Sequence, residues 1–390
     1  MTKFYTSMKS IVFTLIAAAL LASCANSSKP VVAETNPEDS LYLIIGSYAA
    51  PEEEGIKVYG FNQNTGDATC ISGVSGISNP SFVYPNKAGN RMYAVGEDEG
   101  ETSTANFLTF DKATGQLTLQ NTQLTHGGAP CNIMLSPAED YVYTANYFGG
   151  SMTEFIVAED GSLGEGRAIA FSGSSVDPGR QTKPYIHAVN FTPDQKFLLA
   201  DDLGTDNVHV FPLNDRSADA TKPLLDEANA SDVFIKAGLG PRHLSFAPNG
   251  KRAYLIGELS GEVATLSYEN GLLAVMQTLK ADSLNAGGSA DVHVSPDGNY
   301  VYTSHRLQGD GISILKVLED GTLEKVGYQA TGIHPRNFAL TPNGKLLLVA
   351  CRDTDEVQIF IRNSETGLLT NTGKRIQMSK PVCLQFVGLK

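Results

Sequence analysis

The chain has 390 residues, of which 42% are hydrophobic and 18% charged, enough apolar material for a sizeable core. Its formal net charge of −13 leaves no broad basic face for nucleic acid, whose binding rests on phosphate neutralisation. An anionic small molecule would need a local basic pocket set against that acidic background.

The first residues read as a leader. Lys3 and Lys9 precede an apolar run from Ile11 to Leu21, the length of a signal-peptide core and too short to span a bilayer. Leu21-Ala22-Ser23-Cys24 follows and resembles the lipobox of bacterial lipoproteins. The expectation is a signal peptide over 1–23, lipidation of Cys24, and a flexible linker over 24–39 rich in Ser, Pro and Asn. The membrane is then reached through the lipid anchor alone, at the cell envelope. Residues 40–390 form the remaining domain.

That domain repeats one phrase: an apolar strand, a turn of Pro with Asn, Asp or Gly, and a second apolar strand. The turns centre on Pro85, Pro137, Pro193, Pro248, Pro296 and Pro342, at steps of 46 to 56 residues. Each copy continues into a third and a fourth strand, joined by turns such as Thr114-Gly115, Asp160-Gly161, Asp320-Gly321 and Thr366-Gly367. Four short antiparallel strands per repeat of this length predict an all-β, seven-bladed β-propeller. Residues 41–74 lack the Pro turn, and the final segment from Pro381 to Val387 is one strand without a successor. Pairing these two ends completes the seventh blade and removes the open edge.

Hairpin geometry places the start of each first strand and the end of each second strand at one mouth of the channel. Counting six residues back from each Pro gives Asn79, Cys131, His187, Arg242, Ala290 and Arg336; five back gives Asn132, His243, Asp291 and Asn337 among others. Ten residues after the Pro stand Tyr147, Leu203, Glu258, Arg306 and Arg352, joined by Glu97 if the first turn is two residues longer. One residue earlier are Asn146, Asp202 and His305. A structural repeat should carry like residues at like positions. These columns instead hold charges and imidazoles that differ from blade to blade, as a site would.

Other signals are few. Cys70, Cys131, Cys351 and Cys383 form no CxxC pair and read as buried free thiols. The chain shows no metal-binding His-x-x-x-His, no acidic calcium loop, no Gly-rich phosphate loop and no Gly-x-Ser-x-Gly elbow. Neither metal nor cofactor is expected.

Several segments resemble the lactonase-type propeller family, which includes the propeller form of 6-phosphogluconolactonase and fungal carboxymuconate lactonising enzymes. They are Lys183-Pro184-Tyr185-Ile186-His187, Gly240-Pro241-Arg242-His243-Leu244, Gly257-Glu258-Leu259 and Pro335-Arg336-Asn337-Phe338. The resemblance implies hydrolysis of a sugar lactone, with His187, Arg242, Glu258 and Arg306 as catalytic residues. Arg336, Asn337, His243, Asn146, Glu97 and His305 would hold substrate. His187 or Glu258 would activate water and Arg242 would meet the oxyanion. Asp291 and His293 are weaker candidates. The family often has His at the position of Tyr185, and Asn at those of Gly257 and His305; these departures touch substrate identity more than the core charges. A phosphorylated gluconolactone is expected in the cytoplasm, whereas this leader points outward. A lactonising cyclase or isomerase for a carboxylated compound, or a non-catalytic envelope propeller, are the alternatives.

Overall fold

Four of the six Pro turns, those after Ser136, Thr192, Ser295 and Thr341, close on the hydroxyl that precedes the Pro. Ser295 Oγ donates to Asp297 (2.6 Å) and accepts the Tyr300 N–H (3.0 Å). Thr341 does the same with Asn343 (2.8 Å) and Leu346 (3.0 Å), and Thr192 with Asp194 (2.6 Å) and Phe197 (3.1 Å). The residue two after the Pro is left-handed in five of the six turns: Gly250, Gly298 and Gly344, but also Glu139 (φ 62°) and Gln195 (φ 59°).

The computed structural model describes residues 39–217 and 222–389. The leader, Cys24 and nearly all of the 24–39 linker lie outside the described residues. The described chain forms seven four-stranded antiparallel sheets. The innermost strands are β4 (Val83–Pro85), β8 (Pro130–Leu135), β12 (Ile186–Phe191), β16 (Pro241–Phe246), β20 (Ser289–Val294), β24 (Pro335–Leu340) and β28 (Pro381–Gly388). Each packs against the next around the axis. The second strands are β1 (Ser40–Ser47), β5 (Arg91–Gly96), β9 (Tyr141–Asn146), β13 (Phe197–Asp202), β17 (Arg252–Gly257), β21 (Tyr300–His305) and β25 (Leu346–Cys351). In the first blade the order is β28-β1-β2-β3, with β2 at Ile56–Asn62 and β3 at Ala68–Val74. The last strand thus pairs with the first, Leu41 opposite Gly388 and Gly46 opposite Cys383. The propeller and its closure are as the repeat implied.

The core lies between blades. Side chains alternate along a strand, so on β1 Tyr42 and Ile44 pack with Met92 and Ala94 of the second blade. Leu43 and Ile45 pack with Leu346 and Leu348 of the seventh. Tyrosine hydroxyls stitch neighbours at the rim: Tyr93 to the Gly161 carbonyl (3.0 Å), Tyr254 to Gly321 (3.0 Å) and Tyr302 to Gly367 (2.7 Å). Those glycines belong to the turns before the fourth strands. Cys70, Cys131, Cys351 and Cys383 form no disulfide among the described residues.

Candidate functional site

Two devices build the mouth. The first is one residue just past each second strand: Tyr48, Glu97, Tyr147, Leu203, Glu258, Arg306 and Arg352. Each donates its backbone N–H to the carbonyl of the residue leading into its blade's innermost strand, Lys380, Asn79, Ala129, Tyr185, Gly240, Gly288 and His334 in that order, at 2.8 to 3.2 Å. The second is a bulge at the start of the innermost strands. The ladder skips Cys131, His187, Arg242 and Arg336, and skips Ala290 with Asp291 and Val382. A bulge re-aims a side chain without breaking the strand. These skipped residues are the column six before the Pro, with one correction. In the second blade Pro80 precedes β4 as Pro335 precedes Arg336, so Ser81 stands where the count placed Asn79. The β4 hairpin is two residues shorter on that side.

The two devices meet on Glu258. Its Oε2 accepts Arg242 Nε (2.8 Å) and lies 3.3 Å from Arg306 Nη2, and its Oε1 accepts Arg180 Nη2 (2.7 Å). His187 Nε2 is 4.0 Å from Oε2. Arg242 is only 1% exposed. Its Nη1 also donates to the Ala290 carbonyl and lies 3.3 Å from His243 Nε2. Arg306 is held by the carbonyls of Gly288 (2.7 Å) and Ser289 (3.4 Å). Three guanidiniums around one carboxylate leave surplus positive charge, the local basic pocket that an acidic protein needs for an anion.

The charges shape the titration. Burial pushes the Glu258 carboxyl up, but Arg306, Arg242 and Arg180 outweigh it and bring it to about 2. Burial, then Arg242, hold the His187 imidazole well below its usual value, so it is neutral. Burial lowers Arg306 to about 9, with Glu258 opposing. His187 Nδ1 lies 3.6 Å from Cys131 Sγ. Burial keeps Cys131 a thiol, so its sulfur can accept from Nδ1–H and leave the Nε2 lone pair toward Glu258.

Beneath this layer, Asp291 accepts from His243 Nδ1 (2.8 Å), His293 Nε2 (3.0 Å), Asn337 Nδ2 (2.6 Å) and the Val292 N–H (3.0 Å). Burial followed by Arg242 takes His243 down to about 4. Toward the Pro turns the channel widens into a cavity of about 450 Å³ lined by His293, Asn190, Ser245, Thr341 and Phe386 among others. His243 and Asp291 line this cavity, whereas His187, Arg242, Glu258 and Arg306 do not.

The structure gathers His187, Arg242, Glu258 and Arg306 into one cluster. Arg336 lies beside it over the Tyr48 ring (5.5 Å), 3.7 Å from Glu97, whose other contacts are the hydroxyls of Tyr48 (2.9 Å) and Ser81. His243 faces Arg242. Asn337 is spent on the channel wall, donating to Asp291 and accepting the Leu384 N–H (2.8 Å). Asn146 and His305 do not join the cluster. Asn146 bonds Ser151 (3.0 Å) and Thr153 (2.8 Å), and His305 bonds Ser289 (2.7 Å) and Thr303 (3.0 Å), all inside their own blades. They precede the mouth ring by one residue, and strand alternation turns them away. Arg352 closes on Asp353 (2.6 Å). Column counting missed Arg180, which sits in an inter-blade loop with no repeat register, and Tyr48, whose blade lacks the Pro turn. Among the described residues no three His, Cys, Asp or Glu side chains converge to hold a metal ion.

A seven-bladed ring with a positively charged, carboxylate-centred mouth defines a propeller that receives a small polar or anionic ligand on its axis. Comparison narrows this class. The family described as "Lactonase, 7-bladed beta-propeller" matches residues 42–386, and the chain belongs to it. A 6-phosphogluconolactonase of Formosa agariphila is 35% identical over 88% of this chain and 99% of its own. One of Bacillus subtilis is 31% identical over 88% and 97%. Among solved structures, a Bacteroides fragilis protein provisionally named a 6-phosphogluconolactonase superposes with a TM-score of 0.86 at 46% identity, over 91% of this chain and 100% of its own. A periplasmic gluconolactonase of Pseudomonas aeruginosa does so with 0.81 at 30% identity, over 90% and 100%.

Proposed function

We propose that this chain is a hydrolase that opens sugar lactones at the charged mouth. The observation that carries the reading is Glu258 bound by Arg242 and Arg306 with His187 Nε2 4.0 Å away. Family membership and the names of the relatives support it.

The geometry divides the labour. A carboxyl held near 2 is ionised but a feeble base, so Glu258 serves as the anchor of the arginines. Neutral His187 is the better acceptor. The 4.0 Å gap is too long for a direct hydrogen bond and suits a water between Nε2 and Oε2. That water attacks the lactone carbonyl carbon and gives its proton to His187. Arg242 or Arg306 donates to the oxyanion. The carbonyl re-forms as the ring C–O bond breaks, and the imidazolium returns its proton to the leaving ring oxygen. Glu258 steadies the transient imidazolium. Arg336 and Glu97 flank the substrate, and His243 holds Arg242 from below.

The test is hydrolysis of freshly made 6-phosphogluconolactone and of gluconolactone, corrected for the uncatalysed rate, with Arg242→Ala alongside. Turnover lost in the variant supports the reading; no turnover of either lactone by folded, unaltered protein refutes it. The lipobox-like sequence supports a second proposal, that Cys24 is lipidated and tethers the ring at the cell envelope. Labelled fatty acid should enter the chain and be absent from Cys24→Ala.

A further inference from the structure

Residues 171–185 join β11 (Arg167–Ala170), the outermost strand of one blade, to β12, and carry Arg180 over the mouth. The segment is fixed at its root. Gln181 is fully buried, its Nε2 donates to the Leu203 carbonyl (2.9 Å), and its own carbonyl accepts the Ser175 N–H (2.9 Å). Asp177 Oδ1 accepts the N–H groups of Gly179 (2.8 Å) and Arg180 (3.0 Å), a turn that presents the arginine.

Arg180 differs from its neighbours. Its side chain is 42% exposed, while Arg242 and Arg306 are buried. Its two side-chain bonds, to Glu258 Oε1 (2.7 Å) and Tyr147 Oη (3.2 Å), both leave from Nη2. Its Nε and Nη1 therefore have no protein acceptor among the described residues. Nε–H and Nη1–H lie on different edges of the guanidinium, so each can give a phosphate or carboxylate oxygen a single charge-assisted hydrogen bond. Three residues on, exposed Lys183 lies 5.4 Å over the Tyr185 ring and reaches the Phe148 carbonyl (2.5 Å), adding a second cation to this rim.

We propose that Arg180, with Lys183 beside it, is the subsite for an anionic group that the lactone carries away from its ester. The preferred substrates are then acidic lactones. This rests on the lactonase reading and deepens it. Arg180 keeps its Nη2 bond to Glu258 while its Nε–H or Nη1–H donates to the anion, so the residue that reads the substrate's charge also touches the catalytic carboxylate. Phosphate and carboxylate share the required chemistry.

The experiment compares the full chain with Arg180→Ala and Arg180→Lys on 6-phosphogluconolactone, glucarolactone and neutral gluconolactone. In the Ala variant KM for the acidic lactones should rise roughly 10–100-fold, the scale of one hydrogen bond between charged groups. The loss of kcat/KM should exceed that on gluconolactone by about tenfold, with partial recovery in the Lys variant. The unaltered chain's preference between the two acidic lactones identifies the anion. Equal losses on all three overturn the subsite and leave Arg180 as a positioning residue for Glu258. Calorimetric titration with 6-phosphogluconate separates the two claims. If no lactone is opened but this acid binds more weakly to Arg180→Ala, the activity falls and the subsite stands. If neither binding nor selectivity depends on Arg180, the subsite falls whatever the activity.

Discussion

The two ends of the channel follow opposite rules. At the Pro-turn end, Thr192, Ser295 and Thr341 make the same pair of hydrogen bonds in three different blades. At the mouth the backbone repeats just as strictly, through the bond made past every second strand. The side chains there do not: Tyr48, Glu97, Tyr147, Leu203, Glu258, Arg306 and Arg352 share one backbone position. A repeated scaffold thus holds an unrepeated set of groups. Where side chain and backbone repeat together the residue serves folding, and where only the backbone repeats the residue is free to serve chemistry.

If that contrast is right, substitutions at the two ends should separate rate from stability. The largest effect is expected at Arg242. Arg242→Ala should lower kcat by roughly 10²–10³, the scale of one lost oxyanion donor. Arg242→Lys should recover little, because one ammonium cannot reach Glu258, Ala290 and the substrate together. Steady-state kinetics beside a melting curve checks this; a loss of stability matching the loss of rate would erase the contrast. Asp291→Asn probes the layer between the ends. It leaves His243, His293 and Asn337 competing for a weaker partner, at a cost of about 3–5 kcal/mol if the buried network breaks as a charge pair does. Chemical denaturation gives the stability, and a parallel fall in kcat would show Arg242 losing its support from His243.

Acid should loosen the fold through the mouth and blade histidines. Burial holds His187 well below its ordinary value, His243 and His305 near 4, and His334 near 3. From the unfolded value of about 6.5 down to about 4 the unfolded chain takes up these protons and the folded chain does not. Asp201, whose buried carboxyl is raised, opposes them by one proton. The raised values of His209 and His293 act mainly above 6.5, where their contribution is lost as pH rises through them. Stability should therefore fall as pH drops from about 6.5 to 4, by about 1.4 kcal/mol per pH unit for each net proton. A flat profile over that window would contradict the burial of neutral imidazoles. At the repeating end, Ser295→Ala should cost about 1–2 kcal/mol with kcat unchanged. The smallest effect is a gain: Gln195→Gly relieves a left-handed residue whose side chain makes no hydrogen bond among the described residues, and should stabilise by roughly 1 kcal/mol.

The repeat was legible because turn chemistry is local: a proline with a nearby Asx or Gly marks every hairpin, and in four of the six a Ser or Thr hydroxyl before the proline closes it. Ring closure was legible as well, since one blade lacked a strand and one strand lacked a blade. The mouth columns were readable because a bulge and a strand end fall at near-constant distances from the Pro. Counting failed where that distance changes, as at Ser81, and where one step reverses the facing side, as at Asn146 and His305. It could not reach Arg180, which is placed by the fold of a long connection across three blades and not by any period.

The pairing of β28 with β1 has a consequence for how the molecule is made. The segment that completes the first blade, Pro381–Gly388, is synthesised after every other strand of the ring. Until it emerges, β1 offers a bare edge of unpaired N–H and C=O groups, and so does the blade stack it must meet. Nearly the whole polypeptide must be present before the circle can shut. A chain without this strand leaves an open edge that can accept a strand from another copy.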